Sequence, residues 1–474
     1  MKNVKYIELK NQWDYEEDDS EANGQLSFSA KIVLIQLILL VFFILFVLFF
    51  QGTLNLRKSA KSENTRLPEW NKSSSIKRVS RFQDNYFTKY ESRYLNCTEF
   101  INGNQGAIDS YVISGKLRLH KDKLLGLQMD CDSIKNRLFG DLPPFKHLKR
   151  SIAFVRNIYQ LYELQEAFLS MIYHPSHFYC YAIDLKSDER LKKSMRVLSN
   201  CLDNIIVLDK EYDFDRSGHK QDEAHFDCLK RILEKNWSHA ITLQNFDLII
   251  KTPEQLSDLS ELLNETSIMG SDHALTDRYD TNADWTPVGM MLFKNESEVP
   301  DEILHKKLVV RKSLNEVVLS KVFVQSMFEK LNLNMVIKRF DNESLFGVDE
   351  MMVMTLYENY LGLDGQVEVD FTDSREDELT RFTDWQFNQP DGPNAECKSH
   401  WLRHSICVLG VEYLQEISKS PMVIANKVLE TFDFGTVICT REMMNDNKTG
   451  RSPDADWLSK RFPQFRGMRV KVNS

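Results

Sequence analysis

Positive charge is in short supply. Lys and Arg number 60 against 69 Asp and Glu, leaving a net charge of -9. A protein that works mainly by electrostatic contact with nucleic acid needs a basic surface, so that class is excluded and no nucleic-acid partner is expected. Neither a G-x-x-x-x-G-K-[ST] nor a G-x-G-x-x-G phosphate loop occurs, and no internal repeat is present. The chain therefore grips no phosphate by those two devices, and solenoids and propellers are set aside. What it does have is a 42% hydrophobic and 11% aromatic composition over 474 residues, enough for one large domain with extensions or two ordinary ones.

The strongest local signal is IVLIQLILLVFFILFVLFF, Ile32 to Phe50, in which Gln36 is the only polar side chain. Such a run is long enough to cross a bilayer. A polar head of 31 residues precedes it and no small-residue cleavage site follows, so it reads as a permanent anchor. Arg57, Lys58, Lys61 and Arg66 follow the run closely, and only Lys31 precedes it closely. The positive-inside rule alone would put the N-terminus outside. Against that, all eight cysteines (Cys97, Cys131, Cys180, Cys201, Cys228, Cys397, Cys407 and Cys439) follow the run, as disulfides in an oxidising lumen would. So do seven N-x-S/T sequons, at Asn71, Asn96, Asn236, Asn264, Asn295, Asn342 and Asn447, several of which chance alone would supply. Cysteines and sequons together outweigh four basic residues, and the expected topology is type II, with a short cytosolic head and a large lumenal body.

Behind the anchor, Gln51 to about Asn85 is rich in Lys, Arg, Ser and Asn and reads as a tether. From Ser151 onward, SIAFVRNI, FYCYAIDLK, NIIVLD and HAITLQNF look like buried strands, separated by helical patterns such as LYELQEAFLSMIY and AHFDCLKRILEKN. That alternation predicts an α/β domain with a mostly parallel, Rossmann-like sheet. The expected division is a cytosolic tail at 1–31, an anchor at 32–50, a stem and N-terminal extension at 51–150, a catalytic domain at 151–440 and a tail at 441–474. Ligands of such sheets sit beyond the carboxyl ends of the strands, which singles out Asp184 and Asp247. On spacing alone an ordinary turn aspartate is the better reading of each. In FGVDEMMVMTLYEN, Glu350 opens an apolar segment. It is either a working base or a charge that complements a helix N-terminus, worth about 0.3 to 1 kcal/mol. Asp349 before it suits a helix cap.

Several stretches, in order, resemble the core-2/I-branching β-1,6-N-acetylglucosaminyltransferase family, which includes the peptide O-xylosyltransferases. MIYHPSHFYCYAIDLKSDE resembles its "YHP…YC.H.D.KS", HAITLQNFDLIIKT its "YLINL.G.DFPIKT", VVRKSLNEVVLSKVFVQSM its "G S….LSR.FV", and FGVDEMMVMTL its "PDE.FWATL". TDWQF, HSICVLG and VIANKV are similar to "KWQY", "RSVCIFG" and "LFANKF". The resemblance spans roughly Ser151 to Cys439 and implies a GT-A-like glycosyltransferase fold. It also implies the disulfides Cys97 with Cys439, Cys131 with Cys201, Cys180 with Cys228, and Cys397 with Cys407.

The same resemblance implies an inverting transfer from a UDP-sugar, most simply of N-acetylglucosamine, to a hydroxyl of a glycan or glycoprotein, in the Golgi membrane. Such a reaction needs a base for the acceptor proton and positive charge for the departing diphosphate. Glu350 matches the base, Lys427 and the Arg403/His404 pair match the phosphate contacts, Asp184 matches a nucleotide contact, and Trp385 and Phe387 match acceptor-lining aromatics. Two positions depart from the family pattern: His404 stands where an arginine is usual, and Arg216 where a tyrosine near the nucleotide is usual. GSDHALTDRYDTNADW lacks the basic pattern expected of the acceptor segment. Asp-x-Asp spacings occur at Asp130/Asp132, Asp213/Asp215 and Asp454/Asp456, none at the end of HAITLQNF, so no metal and no other cofactor is expected. The alternatives are an inactive lumenal glycan-binding protein on the same fold and a xylosyltransferase-like enzyme acting on protein serine. A homo-oligomer stays open.

Overall fold

The structure, a computed structural model, describes residues 82–120, 126–140, 144–367, 380–385, 397–446, 449–450 and 452–461. The head, the run Ile32 to Phe50, most of the tether, Phe387, Asn71 and Asn447 lie outside the described residues. All described residues belong to one compact unit, Arg78–Ser474. Among them, no helix is long and apolar enough to cross a membrane.

The centre is a five-stranded sheet in the order β3-β2-β1-β4-β8, made of β1 (Ile152–Ile158), β2 (Phe178–Asp184), β3 (Ile205–Tyr212), β4 (His239–Leu243) and β8 (Val318–Ser320). β1, β2, β3 and β4 run parallel, and only β8 is antiparallel, beside β4. Every residue of β1 and β4 is buried, as parallel strands covered on both faces must be. Ile152, Phe154 and Ile158 of β1 enter one core cluster together with α1 (Tyr162–Ile172), whose residues are all buried. Ala153 and Val155 enter the other, with Phe226 and Leu229 of α2 (Gln221–Ile232). This is the two-residue alternation of a strand. The outer strand β3 carries exposed residues at Asp209 and Lys210, charges that keep an unpaired sheet edge from recruiting another strand.

A second, small sheet sets up the site. β5 (Leu248–Ile249) pairs antiparallel with β12 (Ile424–Ala425), and β12 pairs parallel with β9 (Arg381–Phe382). The segments just after β4, around Arg381 and just after β12 are thereby brought side by side. Two more short pairs complete it: β6 (Asp272–His273) with β7 (Arg311–Lys312), and β10 (Leu402–Arg403) with β11 (Ile406–Cys407).

Four disulfides pair Cys97 with Cys439, Cys131 with Cys201, Cys180 with Cys228 and Cys397 with Cys407. They are the four pairs the family resemblance implies. Cys180–Cys228 fastens α2 to β2, and Cys97–Cys439 joins the N-terminal extension to the last long helix, Glu430–Asn445, across 342 residues of sequence. Of the described sequons, Asn96, Asn236, Asn264 and Asn295 are exposed and Asn342 is half-buried.

Candidate active site

Strand ends place the first groups. Asp184 is the last residue of β2; it is buried, and its Oδ1 accepts from the Lys186 amide at 2.9 Å and lies 3.3 Å from the Lys186 ammonium. Tyr159 follows β1, within electrostatic reach of both Asp184 and Arg403. Burial pushes its hydroxyl up to about 12, against the opposing pull of Arg403.

The strands β10 and β11 form a hairpin whose two central residues, His404 and Ser405, have φ of 54° and 58°. Two left-handed residues in a two-residue loop are what the twist of a hairpin favours. Arg403 is thus the last strand residue and His404 the first turn residue. The Arg403 guanidinium lies 5.1 Å from the Phe246 ring centroid. His404 is held down to about 4, by burial first and then by the positive charges of Lys427, Arg403 and Arg216. At neutral pH it is therefore uncharged. The Lys427 ammonium is lowered to about 8, again by burial first and then by Arg403 and Arg381. Among the described residues neither Lys427 nor Arg216 makes a side-chain hydrogen bond or ion pair. Lys427, Arg403 and Arg216 crowd His404, and Glu316 and Asp247 are the acids within electrostatic reach of Lys427.

Acids lie beneath this cluster. Asp247 follows β4; its Oδ2 accepts from the Gln244 amide at 2.5 Å and its Oδ1 from Asn426 Nδ2 at 2.7 Å. Glu316 is buried and takes a hydrogen bond from Arg381 at 2.8 Å. Burial, with a further push from the neighbouring Asp247, raises its carboxyl to about 8, while Arg381 opposes the rise.

Glu350 closes a short 3-10 turn, Val348–Glu350, that starts from Gly347 at φ 67°. Arg278 Nη1 lies 2.6 Å and Lys312 Nζ 3.3 Å from its Oε2. Oε1 has no hydrogen-bond partner among the described residues. One oxygen anchors the carboxylate and the other is left to accept. A Cβ on Gly347 would stand 2.4 Å from Arg278 Nη1, so the bare backbone there is what lets the guanidinium reach Glu350. Asp349 does not cap a helix. Its Oδ2 accepts from Gln244 Nε2 at 3.2 Å and Asn315 Nδ2 at 3.0 Å, because the left-handed Gly347 turns it inward. Burial first, and then the charge of Glu350, raises its carboxyl to about 7.

Gln244 links the two halves of the site: its amide binds Asp247, which holds Asn426 beside Lys427, and its side chain binds Asp349 beside Glu350. Arg403, His404 and Lys427 thus act on one another directly, Asp184 is linked to Arg403 among the described residues only through Tyr159, and hydrogen bonds through Gln244 tie the Glu350 turn to the Asp247–Asn426 pair beside Lys427. Trp385 is half-buried, bridges Ile406 of β11 and lies 5.7 Å from the Arg381 guanidinium. The Asp-x-Asp acids do other work: Asp130 caps the helix Cys131–Phe139, Asp213 pairs with Lys186, and Asp454 accepts from the Trp457 amide. No group of three or more His, Cys, Asp or Glu is placed to hold a metal ion among the described residues. Sequence reasoning missed Arg278, Lys312, Gln244 and Tyr159. Arg278 sits inside the segment that matched no family pattern, and nothing local marks it.

In a mostly parallel α/β sheet, ligands bind beyond the carboxyl ends of the strands, where β2 ends at Asp184. Residues 152–418 match the family model of the Core-2/I-Branching enzyme, and the chain belongs to that family and is a glycosyltransferase. It is 24% identical over 372 residues to a "Beta-1,3-galactosyl-O-glycosyl-glycoprotein beta-1,6-N-acetylglucosaminyltransferase 3" of Ovis aries, covering 74% of this chain and 82% of that protein. A "Beta-1,3-galactosyl-O-glycosyl-glycoprotein beta-1,6-N-acetylglucosaminyltransferase" of Bovine herpesvirus 4 (strain LVR140) is 22% identical over 372 residues, with the same coverage. Among solved structures, S. aureus TarS 1-349 in complex with UDP aligns over 41% of this chain and 57% of its own length, at 11% identity and a TM-score of 0.21. An overlap that small carries nothing for the site.

Proposed function

We propose that the protein transfers a sugar, N-acetylglucosamine, from its UDP conjugate to a hydroxyl of an O-linked glycan, with inversion and without a metal ion. Glu350 removes the acceptor proton through its free Oε1 as the oxygen attacks the anomeric carbon from the face opposite the diphosphate. Arg403 and Lys427 neutralise the departing UDP, with His404 contributing a neutral contact. Asp184 holds the nucleoside side, and Trp385 with Phe387 offers an aromatic face to the acceptor sugar. The single observation carrying this reading is the Lys427 ammonium, which makes no hydrogen bond or ion pair among the described residues although Arg403 and Arg381 crowd it, and so is available to an anionic ligand.

The donor and acceptor class follow the relatives, whose descriptions name β-1,6-N-acetylglucosaminyl transfer to a galactosyl-O-glycosyl-glycoprotein. The nineteen-residue apolar run, together with cysteines and sequons confined to one side of it, supports a type II Golgi membrane protein with residues 151–440 as the lumenal catalytic domain. The test is release of UDP from a panel of UDP-sugars by the full chain in detergent, with and without EDTA, beside Glu350→Gln. Transfer that persists in EDTA and is lost in the variant supports the proposal. EDTA-sensitive transfer removes its metal-free part, a preference for UDP-xylose replaces the donor, and glycan binding without UDP binding means a glycan-binding protein instead.

A further inference from the structure

Phe346 is 50% exposed and immediately precedes the turn that carries Glu350. A single exposed phenylalanine is ordinary on a protein surface, but this one has charged company. The Arg278 guanidinium lies 5.6 Å from its ring centroid, and Arg278 Nη1 lies 2.6 Å from Glu350 Oε2. Ring, guanidinium and carboxylate are consecutive contacts. The backbone on either side of the ring is pinned: the Leu345 amide donates to the Asn342 carbonyl at 2.9 Å, and the Gly347 and Val348 amides donate to the Ser217 carbonyl at 2.8 and 3.1 Å. Phe346 is thus held between two fixed neighbours while its own apolar surface stays in water.

The polar groups beside it have bonding capacity to spare. Arg278 Nε and Nη2 have no hydrogen-bond partner among the described residues, and neither has Glu350 Oε1. The Lys312 ammonium, 3.3 Å from Glu350 Oε2, is partly exposed and makes no hydrogen bond among the described residues. An apolar ring, open nitrogen donors and an open carboxylate oxygen together match a pyranose, whose C–H face lies on an aromatic ring while its hydroxyls both donate and accept.

Resting on the function proposed above, we propose that Phe346 is a specificity-determining residue that stacks against the C–H face of the acceptor pyranose, the sugar whose hydroxyl Glu350 deprotonates. The base has to touch the acceptor, so the sugar on a ring this close to Glu350 is the acceptor and not the nucleotide. A flat platform beside the base selects acceptors that present an unsubstituted C–H face.

Calorimetry and initial rates test it, with the full chain in detergent, UDP-N-acetylglucosamine as donor, and the p-nitrophenyl glycoside of the β-1,3-galactosyl type that the relatives' descriptions name. Phe346→Ala is expected to weaken glycoside binding and raise the acceptor KM by about tenfold, with UDP affinity within about twofold and the melting temperature unchanged. Phe346→Tyr and Phe346→Trp are expected to keep most of the glycoside affinity, and Phe346→Leu, apolar but not flat, to lose most of it. Unchanged glycoside affinity in Phe346→Ala, or a fall confined to kcat, overturns the proposal and leaves the ring a brace for Arg278. Lost UDP affinity with glycoside binding intact assigns the ring to the nucleotide and overturns it as well. Neither result touches the proposed function. A parent that binds the glycoside through Phe346 but releases no UDP from any UDP-sugar overturns that function and keeps the ring as a sugar platform; a parent that does not bind the glycoside overturns both.

Discussion

Arg278 donates to Glu350 at 2.6 Å across a gap that only a glycine at position 347 leaves open, and both of the carboxylate's ion pairs fall on the same oxygen. If the unpaired Oε1 is the proton acceptor, Glu350→Gln keeps the shape of the turn and removes the base. Transfer is expected to fall by about a hundred- to ten-thousandfold, with UDP affinity within a few-fold of the original. Initial rates under saturating donor, beside calorimetry with UDP, check both halves. A variant that retains most of its rate sinks the assignment of the base.

Gly347→Ala attacks the same geometry without touching charge. Its Cβ meets Arg278 Nη1, and φ of 67° disfavours any residue with a Cβ, so the cost is about 1 kcal/mol or more in stability. The displaced guanidinium no longer anchors Oε2. A fall in kcat larger than the drop in melting temperature accounts for is the expected result, and unchanged kcat would show that the anchoring is not needed.

Glu316 makes a pH prediction with a definite sign. In the folded protein its carboxyl keeps its proton to about pH 8, and when exposed it loses it near 4.5. The folded state therefore binds the extra proton between those values. The contribution to stability is complete below about 4.5 and is lost as pH rises towards 8. Glu316→Gln, which is neutral throughout, is expected to flatten the fall in melting temperature between pH 5 and 8. The same slope in variant and parent would rule Glu316 out as its source.

The Cys97–Cys439 bridge closes the longest loop in the chain, and replacing both cysteines by serine is expected to cost about 2 to 4 kcal/mol. Denaturant unfolding measures it. No ligand contact is assigned to the bridge, so UDP affinity well below the new melting temperature is expected to stay within about twofold. A larger loss of affinity would give the bridge a part in shaping the site.

What could be read from the chain beforehand was whatever neighbours in sequence decide. β1, β2 and β4 are mostly apolar, buried runs, and the acid at the end of β2 falls where a parallel sheet binds ligands. The cysteine pairing became legible only through resemblance, since eight cysteines admit many connectivities. Other features depend on contacts that sequence does not display. Arg278 reaches Glu350 from 72 residues away, inside a stretch with no recognisable pattern. Asp349 carries the signature of a helix cap, but one left-handed glycine redirects it to Gln244 and Asn315. Arg403 and His404 could not be told apart by role until the two-residue hairpin placed one on the strand and the other on the turn.

Lys427 gives the sharpest pH test of the leaving-group assignment. Burial and the adjacent arginines bring its ammonium down to about 8 in the free protein, so it is mostly charged at pH 7 and mostly neutral at pH 9. A diphosphate that depends on that charge binds more weakly as pH rises through 8, by about tenfold for the loss of one charged hydrogen bond. Lys427→Arg keeps its charge across the range and is expected to bind UDP with little change between pH 7 and 9, whereas Lys427→Ala binds weakly at both. Should the parent and the arginine variant weaken in parallel, the titrating group lies elsewhere, and Lys427 would be a buried lysine with no part in holding the donor.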